Sequence, residues 1–284
     1  MPIILTPQNH FPVCTLQEWQ VADQSELVKI LAWLYVRKPK HAAKIIDKLA
    51  PGAAAFPGAE FVQARRLLSW EDADLLAPLA DPDPDVRAAA EVKRDKRIEQ
   101  RDGLLFQHIS WIAARLSFPA SHLSAPHVRK ADKGFDGVLV QVGGTGIVAS
   151  VILCEDKATT NPRNLVTQSI WQEIRAIEMG EKDLEIQDAV TALLDRVDGA
   201  DVDAALKGIS WDRVRQYRVA LTAPQAVQKP AGYGHLFDGF DTVTARTVDA
   251  RMADYLALVD VRAFLRDLAE QVKDALIDME AEHV

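Results

Sequence analysis

The chain has 284 residues, of which 48% are hydrophobic, and it carries a net charge of −8, which fits one large domain or two modest ones around a filled core. No apolar run reaches eighteen residues, and the first residues lack the basic and apolar stretches of a signal peptide, so we expect neither a membrane helix nor secretion. Because the only cysteines are Cys14 and Cys154, a disulfide framework is excluded and we expect a cytoplasmic protein.

Residues 1–98 are predicted to form a helical N-terminal region. Residues 2–19 are expected to be irregular, with room for a short strand at residues 3–5. Apolar residues recur every three or four positions over residues 22–49, where Pro39 divides the stretch into two predicted helices. Three further helices are predicted over residues 61–68, over residues 70–79 with Ser69 as cap, and from Pro84 to about Arg101.

The next predicted helix begins after Gly103, which is expected to break the pattern, and it covers residues 104–116. Its apolar stripe includes Leu105 and Ile109, and Gln107 lies off that stripe. Residues 117–133 are predicted to form a loop or a short strand. His122 and His127 lie there, and each is more typical of a loop histidine bonded to backbone or water than of a metal ligand.

A β-hairpin is predicted over residues 133–157. Two runs rich in Val, Ile and Leu flank the glycine-rich turn at residues 143–146. Side chains two apart on a strand share a face, so Glu155 and Lys157 point one way and Cys154 and Asp156 the other. We therefore expect Cys154 to be a buried structural thiol.

The register of this hairpin decides where Asp136 lies. If Val142 faces Ile147, Asp136 lies opposite Leu153, on the face of Glu155 and one diagonal step away. A slip of one residue would move it to the other face of the sheet. The hairpin thus predicts that an Asp, a Glu and a Lys converge at one end of the sheet.

The helix after the hairpin begins near Leu165, with Gln168, Gln172 and Arg175 on a face apart from its apolar stripe. Arg163, in the preceding loop, is a candidate phosphate contact. The remaining predictions, in chain order, are helices over residues 184–197 and 202–209, a strand over 217–222, a mobile loop over 223–234, a turn over 237–241, an edge strand over 242–248 and a long C-terminal helix from Val261.

The predicted convergence has a chemical meaning. Two neighbouring carboxylates repel each other until a proton or a cation relieves the repulsion. Mg²⁺ typically takes one or two carboxylates together with waters and phosphate oxygens, and it activates a bound water for attack on a phosphodiester. Lys157 could orient that water or stabilise the developing negative charge, and backbone carbonyl oxygens near Asp156 could complete the coordination shell. The same residues also fit a strand-entry turn with a solvated strand end, or an unrelated carboxylate site.

The order Asp136, then Glu155-Asp156-Lys157, then a helix with Gln168, resembles the PD-(D/E)XK superfamily of metal-dependent nucleases, which includes the restriction endonucleases. The resemblance implies an α/β fold for residues 99–284, with a restriction-endonuclease-like core in which helices flank a mixed central sheet, preceded by the helical region of residues 1–98. Phe135 stands where the motif has its proline.

The resemblance also implies roles for these residues. Asp136 and Glu155 would bind the metal, with Asp156 completing its shell, and Lys157 would be the catalytic lysine. Gln107 and Gln168 would support the catalytic geometry, although many members of the superfamily have a glutamate in the region of Gln107.

The activity implied is Mg²⁺- or Mn²⁺-dependent hydrolysis of phosphodiester bonds, most readily in DNA. The arrangement further resembles the small nuclease subunits of bacterial anti-phage defence systems, such as Hachiman-type loci, which implies a helicase or another protein of the same locus as partner. Two alternatives stay open: a catalytically silent nucleic-acid-binding or scaffolding subunit, and a protein that is inert until its partner binds.

The net charge of −8 weighs against a nucleic-acid partner, because such proteins usually carry a basic footprint. The charges are unevenly distributed along the sequence, however. Basic residues cluster over residues 93–101 and at Arg129, Lys130 and Lys133, whereas acidic residues concentrate after Glu178. A basic surface around the hairpin is therefore compatible with the composition, and so is a partner subunit that supplies most of the grip on DNA.

Overall fold

The computed structural model of the chain describes residues 1–8, 11–127, 135–144, 146–197, 201–207 and 211–283. Several predicted features lie outside these residues: the basic cluster at Arg129, Lys130 and Lys133, the first two residues of the predicted hairpin, Thr145 of its turn, and the end of the helix predicted over residues 202–209.

A seven-stranded mixed sheet forms the centre of the molecule, with the strand order β1-β2-β7-β6-β5-β4-β3. The strands are β1 (Ile3–Gln8), β2 (Thr15–Val21), β3 (His122–Leu123), β4 (Gly137–Val142), β5 (Val148–Lys157), β6 (Arg215–Pro224) and β7 (Arg251–Leu258). The four inner strands β2, β7, β6 and β5 run parallel to one another, and the remaining pairings are antiparallel. Helices cover both faces, so β5 and β6 are buried almost throughout.

The helices are α1 (Gln24–Tyr35), α2 (Pro39–Ile46), α3 (Glu60–Leu67), α4 (Ala73–Leu79), α5 (Pro84–Ser117), α6 (Pro162–Leu165), α7 (Trp171–Glu178), α8 (Asp183–Leu194), α9 (Val202–Leu206), α10 (Trp211–Val214), α11 (Phe240–Val243) and α12 (Val261–His283). One apolar core joins α1, α2, α3, α5 and α12 to one face of the sheet. A second core joins α7, α8, α9 and α11 to the other face. The prediction of an α/β fold in which helices flank a mixed sheet is confirmed.

The short strand predicted at residues 3–5 is present as the start of β1. The prediction that the rest of residues 2–19 is irregular is wrong, because β1 and β2 form an antiparallel hairpin there. The buried residues Leu16 and Trp19 are three apart, so β2 lacks the alternation that identifies a strand. Its place is fixed by backbone pairing instead, since β2 runs parallel to β7 in the same sheet. The chain before residue 98 thus contributes two strands as well as helices.

Gly103 does not end a helix, because α5 runs without a break from Pro84 to Ser117. A glycine within a helix costs only about 1 kcal/mol relative to alanine, and the buried residues that follow it, Leu104 and Leu105 among them, pack into the core. Helix α5 is also continuous across residue 98, where the sequence analysis divides the chain. The division into residues 1–98 and 99–284 stays a prediction.

The predicted edge strand over residues 242–248 is also wrong. Helix α11 covers the first part of that range, and the strand β7 follows only at Arg251, in the middle of the sheet between β2 and β6. Two charged residues, Arg251 and Asp254, are buried in β7, which hides it from a search for apolar runs. Among the described residues, none of the helices is long and apolar enough to cross a membrane.

Candidate functional site

The register of the hairpin places Asp136 beside Glu155. Gly137 pairs with Cys154, and an irregularity between Gln141 and Val142 shifts the pairing near the turn. Continued by one residue, this register puts Asp136 directly across from Glu155. The expected register is therefore wrong by two residues. Because two is the side-chain period of a strand, the error leaves Asp136 on the predicted face.

The carboxylate of Asp136 is held by three groups from two segments, β5 and α5. Its Oδ2 accepts hydrogen bonds from the backbone N–H of Asp156 at 2.8 Å and from Nζ of Lys157 at 3.3 Å. Its Oδ1 accepts from Nε2 of Gln107 on α5. The structure therefore brings Gln107, Asp136 and Lys157 together, as the sequence predicts. Each oxygen can accept about two such bonds, so Oδ1 keeps capacity for a cation.

Lys157 lies between the two carboxylates of the cluster, because it forms ion pairs with both Asp136 and Glu155. The Glu155 side chain is 11% exposed and that of Lys157 is 28% exposed. Burial lowers the pKa of Lys157, but the two carboxylates outweigh this effect and raise it. The amine therefore stays protonated at neutral pH and acts as a hydrogen-bond donor and positive charge.

Burial, reinforced by the charge of Asp136, raises the pKa of Glu155 to about 8, although Lys157 counteracts the shift. Two carboxylates thus share one ammonium in this cluster. A further positive charge would stabilise the ionised form of Glu155. This is the electrostatic condition under which a divalent cation binds.

Glu173 on α7 belongs to the same neighbourhood, although the sequence analysis gave it no role. It lines a small internal cavity together with Glu155 and Phe135, and its charge also raises the pKa of Glu155. Lys182 pairs with Glu173, and its Nζ lies 5.5 Å from the centre of the Phe135 ring. In the sequence, a role for Glu173 was indicated by its position next to the buried stripe of α7.

Gln168 is not brought to this cluster. Its side chain is exposed, and in the described part of the chain no hydrogen bond joins it to Asp136, Glu155 or Lys157. It lies in a π-helical turn, Val166–Ile170, between α6 and α7. The extra residue of a π turn rotates the following faces by about 100°, so regular α-helical spacing could not locate it. Its supporting role stays a prediction.

Asp156 points to the opposite face of β5, as the alternation predicts. Its Oδ1 accepts from Oγ of Ser110 at 2.6 Å, and Nη1 of Arg218 donates to the same hydroxyl at 2.9 Å. Burial raises the pKa of Asp156 to about 7, and Arg218 counteracts the shift. The Asp156 side chain therefore cannot share a coordination shell with Glu155, which leaves only its backbone near Asp136.

The structure also decides several secondary predictions. Cys154 is buried on the Asp156 face, and burial raises its pKa to about 12, which confirms an unreactive thiol. His127 lies 2.6 Å from the carbonyl oxygen of Phe135, so the backbone contact expected of a loop histidine is present. The guanidinium of Arg163 donates to the carbonyl oxygens of Leu236 and Asp238. Arg163 thus ties the start of α6 to residues 236–238, and its role as a phosphate contact stays a prediction.

Asp136 and Glu155 are the two carboxylates of the cluster that could hold Mg²⁺ or Mn²⁺. The described residues contain no group of three or more His, Cys, Asp and Glu side chains that could hold a metal. Asp136 and Glu155 nevertheless fit one Mg²⁺, which commonly takes one or two protein carboxylates and completes its octahedron with waters and substrate oxygens. Lys157 would remain beside both.

Comparisons with known proteins add no family assignment. No protein-family model matches the chain, and no curated protein matches it.

Proposed function

We propose that the protein is a Mg²⁺- or Mn²⁺-dependent nuclease that hydrolyses phosphodiester bonds, most readily in DNA. The observation that supports this proposal best is the convergence of Gln107, Asp136, Glu155 and Lys157 at one end of a hairpin, with the pKa of Glu155 raised to about 8. The resemblance to the PD-(D/E)XK superfamily gives these residues the same order and roles.

Each residue has a part in the proposed reaction. Asp136 and Glu155 hold the cation, which activates a water and neutralises charge on the phosphodiester. Gln107 and the backbone N–H of Asp156 fix the orientation of Asp136. Lys157 donates hydrogen bonds to the developing negative charge, because its raised pKa keeps it protonated.

The resemblance to nuclease subunits of anti-phage defence systems extends the proposal to a bacterial defence role, with a helicase or another protein of the same locus as partner. Such a partner would also compensate for the net charge of −8, since it could supply the grip on the phosphate backbone.

A catalytically silent scaffolding or nucleic-acid-binding subunit is the second candidate. The observation in its favour is that Lys157 already pairs with both carboxylates, so the cluster holds together without a cation. Calorimetry with Mg²⁺ and Mn²⁺ distinguishes the two candidates, because only the nuclease requires metal uptake that is lost in Asp136→Asn.

The direct test is cleavage of plasmid DNA, single-stranded DNA and RNA with Mg²⁺ or Mn²⁺, alone and with the product of a neighbouring gene. Glu155→Gln and Lys157→Ala are expected to abolish cleavage. Glu185→Gln is the matched control, because Glu185 is an exposed residue of α8. Cleavage that survives both substitutions would remove the site assignment, and cleavage seen only with the partner would identify a partner-dependent enzyme.

A further inference from the structure

A second polar feature lies at the end of α1. A cavity of about 310 Å³ opens between the C-terminal end of α1, the segment over residues 124–127 and helix α8. Two arginines line it: Arg37, just past α1, and Arg196, just past α8. Its described lining contains no Asp or Glu beside these two arginines.

Arg37 occupies its position at a conformational cost. The N–H of Lys38 bonds to the carbonyl of Trp33, and the N–H of Arg37 bonds to that of Leu34, which together form a Schellman motif at the end of α1. Arg37 is the left-handed residue of this motif, with φ of 61°. Glycine usually fills that position because it adopts positive φ without strain.

Helix α2 ends in the same way and provides a comparison. Lys48 has φ of 62°, and its side chain pairs with Glu26. Arg37 differs, since its Nη1 donates only to the carbonyl oxygen of Pro126, at 2.6 Å. In the described part of the chain, neither Arg37 nor Arg196 forms an ion pair. Burial, followed by the charge of Arg196, lowers the pKa of Arg37. The two like charges are therefore close enough to repel each other.

A second cavity, of about 230 Å³, is lined by Arg37 together with Arg66, in the last turn of α3, and Glu60, at its start. Arg66 also pairs with Asp72. The second cavity therefore has carboxylates beside its arginines, whereas the described lining of the first has two arginines and no carboxylate. The first cavity is also connected to the carboxylate cluster. Its lining residue His127 contacts the carbonyl of Phe135, which directly precedes Asp136.

We propose that the cavity between Arg37 and Arg196 is a phosphate subsite that binds the backbone of a nucleic-acid strand at a distance from the bond being cleaved. This inference rests on the proposed function, which it deepens by naming how the strand is held. Arginine suits the role because its planar guanidinium presents paired donors to phosphate oxygens.

The test measures binding of a labelled single-stranded DNA oligonucleotide by fluorescence anisotropy, in EDTA and over a series of salt concentrations. Each of Arg37→Gly and Arg196→Ala is expected to reduce the slope of log affinity against log salt by about 0.7, equivalent to about fivefold weaker binding at 0.1 M salt. Lys48→Gly is the matched control, since it makes the same change in charge at the same kind of helix end, and it should bind like the wild type.

Thermal unfolding separates this role from a structural one. Arg37→Gly should unfold at the same temperature as the wild type or higher, because glycine suits the left-handed position, and yet it should bind DNA more weakly. Arg37→Lys, which keeps the charge, should retain the salt slope.

Wild-type binding by the double variant Arg37→Gly/Arg196→Ala, or equal weakening by Lys48→Gly, would overturn the subsite. In a second set of measurements, the binding of inorganic phosphate and of a mononucleotide is compared between the wild type and the arginine variants. Arginine-dependent binding of these small anions without binding of the oligonucleotide would overturn the assignment to nucleic acid. Arginine-dependent binding of DNA without cleavage in Mg²⁺ or Mn²⁺ would leave the subsite standing and remove the nuclease proposal.

Discussion

Two charged clusters lie back to back at the end of β5, one on each face of the sheet. On one face Asp136 and Glu155 share Lys157, whose side chain is 28% exposed. On the other face Asp156 and Asp254 flank Arg218, whose side chain is 1% exposed. Neighbouring residues of one strand, Glu155 and Asp156, thus belong to two different environments.

The comparison shows how a sheet separates a partly exposed charged cluster from a fully buried one. Arg218 donates from Nε to Asp254 at 2.6 Å and from Nη1 to Ser110, and its guanidinium lies 5.0 Å from the ring centre of Trp19. These contacts fix the orientation of the planar guanidinium of Arg218. Lys157 is a flexible point charge near the surface, so it can move aside for a cation or a phosphate without opening the core.

The largest expected effect is that of Arg218→Met. Removal of the guanidinium leaves Asp156 and Asp254 buried without their cation, and breaking a buried pair costs about 3–5 kcal/mol. Lys157→Met should cost less, because its carboxylates lie nearer to solvent and a divalent cation can replace the ammonium. The measurement is urea unfolding of both variants with and without Mg²⁺.

The contrast depends on Mg²⁺, which should restore stability to Lys157→Met but not to Arg218→Met. A loss of stability in Arg218→Met of less than about 1 kcal/mol, instead of the expected loss of about 3–5 kcal/mol, would show that the two clusters do not differ in this way. Conversely, a recovery of Arg218→Met by Mg²⁺ would place a cation on the wrong face of the sheet.

The next effect concerns the pH dependence of stability. The pKa of Glu155 is raised from 4.5 to about 8, so between these values the native state binds more protons than the unfolded chain. Stability should therefore fall as the pH rises from about 4.5 to about 8, by an amount on the order of a few kcal/mol, since each unit of pKa difference is worth about 1.4 kcal/mol. Urea unfolding at a series of pH values measures it.

Glu155→Gln should remove part of the loss of stability with rising pH. Mg²⁺ should reduce that loss in the wild type. Asp156→Asn is the control from the other face: the pKa of Asp156 is raised to about 7, so its substitution should also flatten the pH profile, but it should leave the response to Mg²⁺ intact. If the stability of the wild type instead rose between about pH 4.5 and about pH 8, the raised pKa of Glu155 would be contradicted.

The sequence was sufficient to bring Asp136, Glu155 and Lys157 to one face of the sheet, because alternation along a strand is insensitive to an error of two residues. The hairpin, β6 and the long C-terminal helix α12 also follow from local pattern. The strand β7 does not, because its buried Asp254 is satisfied by Arg218 of another strand. A polar residue inside a central strand becomes acceptable through a partner that is distant in the sequence.

The contribution of the helices to the site was harder to predict. Gln107 was found because it lies off the apolar stripe of α5. Gln168 was placed by regular helical spacing, which the π turn at Val166–Ile170 interrupts. Glu173 was missed for a different reason, since its approach to Glu155 depends on how α7 packs against the sheet. Tertiary packing, which no local periodicity encodes, decides which face of a helix reaches the site.

The smallest effects should come from α5, which supplies one hydrogen bond to each cluster. Gln107 donates to Asp136, which pairs with Lys157, and Ser110 donates to Asp156 in the cluster around Arg218. Gln107→Leu should leave stability nearly unchanged but lower the cleavage rate by about 10- to 100-fold, as expected when a group that orients a metal ligand is lost. Ser110→Ala should cost about 1–2 kcal/mol of stability, because a buried acceptor loses its donor, and leave cleavage by the folded protein unchanged.

These two variants control each other, because they change residues three apart on the same helix. Urea unfolding and plasmid cleavage, measured on both, should give opposite patterns. If Ser110→Ala lost activity without losing stability, the buried cluster would take part in the chemistry. If Gln107→Leu lost stability instead of activity, Gln107 would be a packing residue, and Asp136 would be oriented by the Asp156 N–H and Lys157 alone.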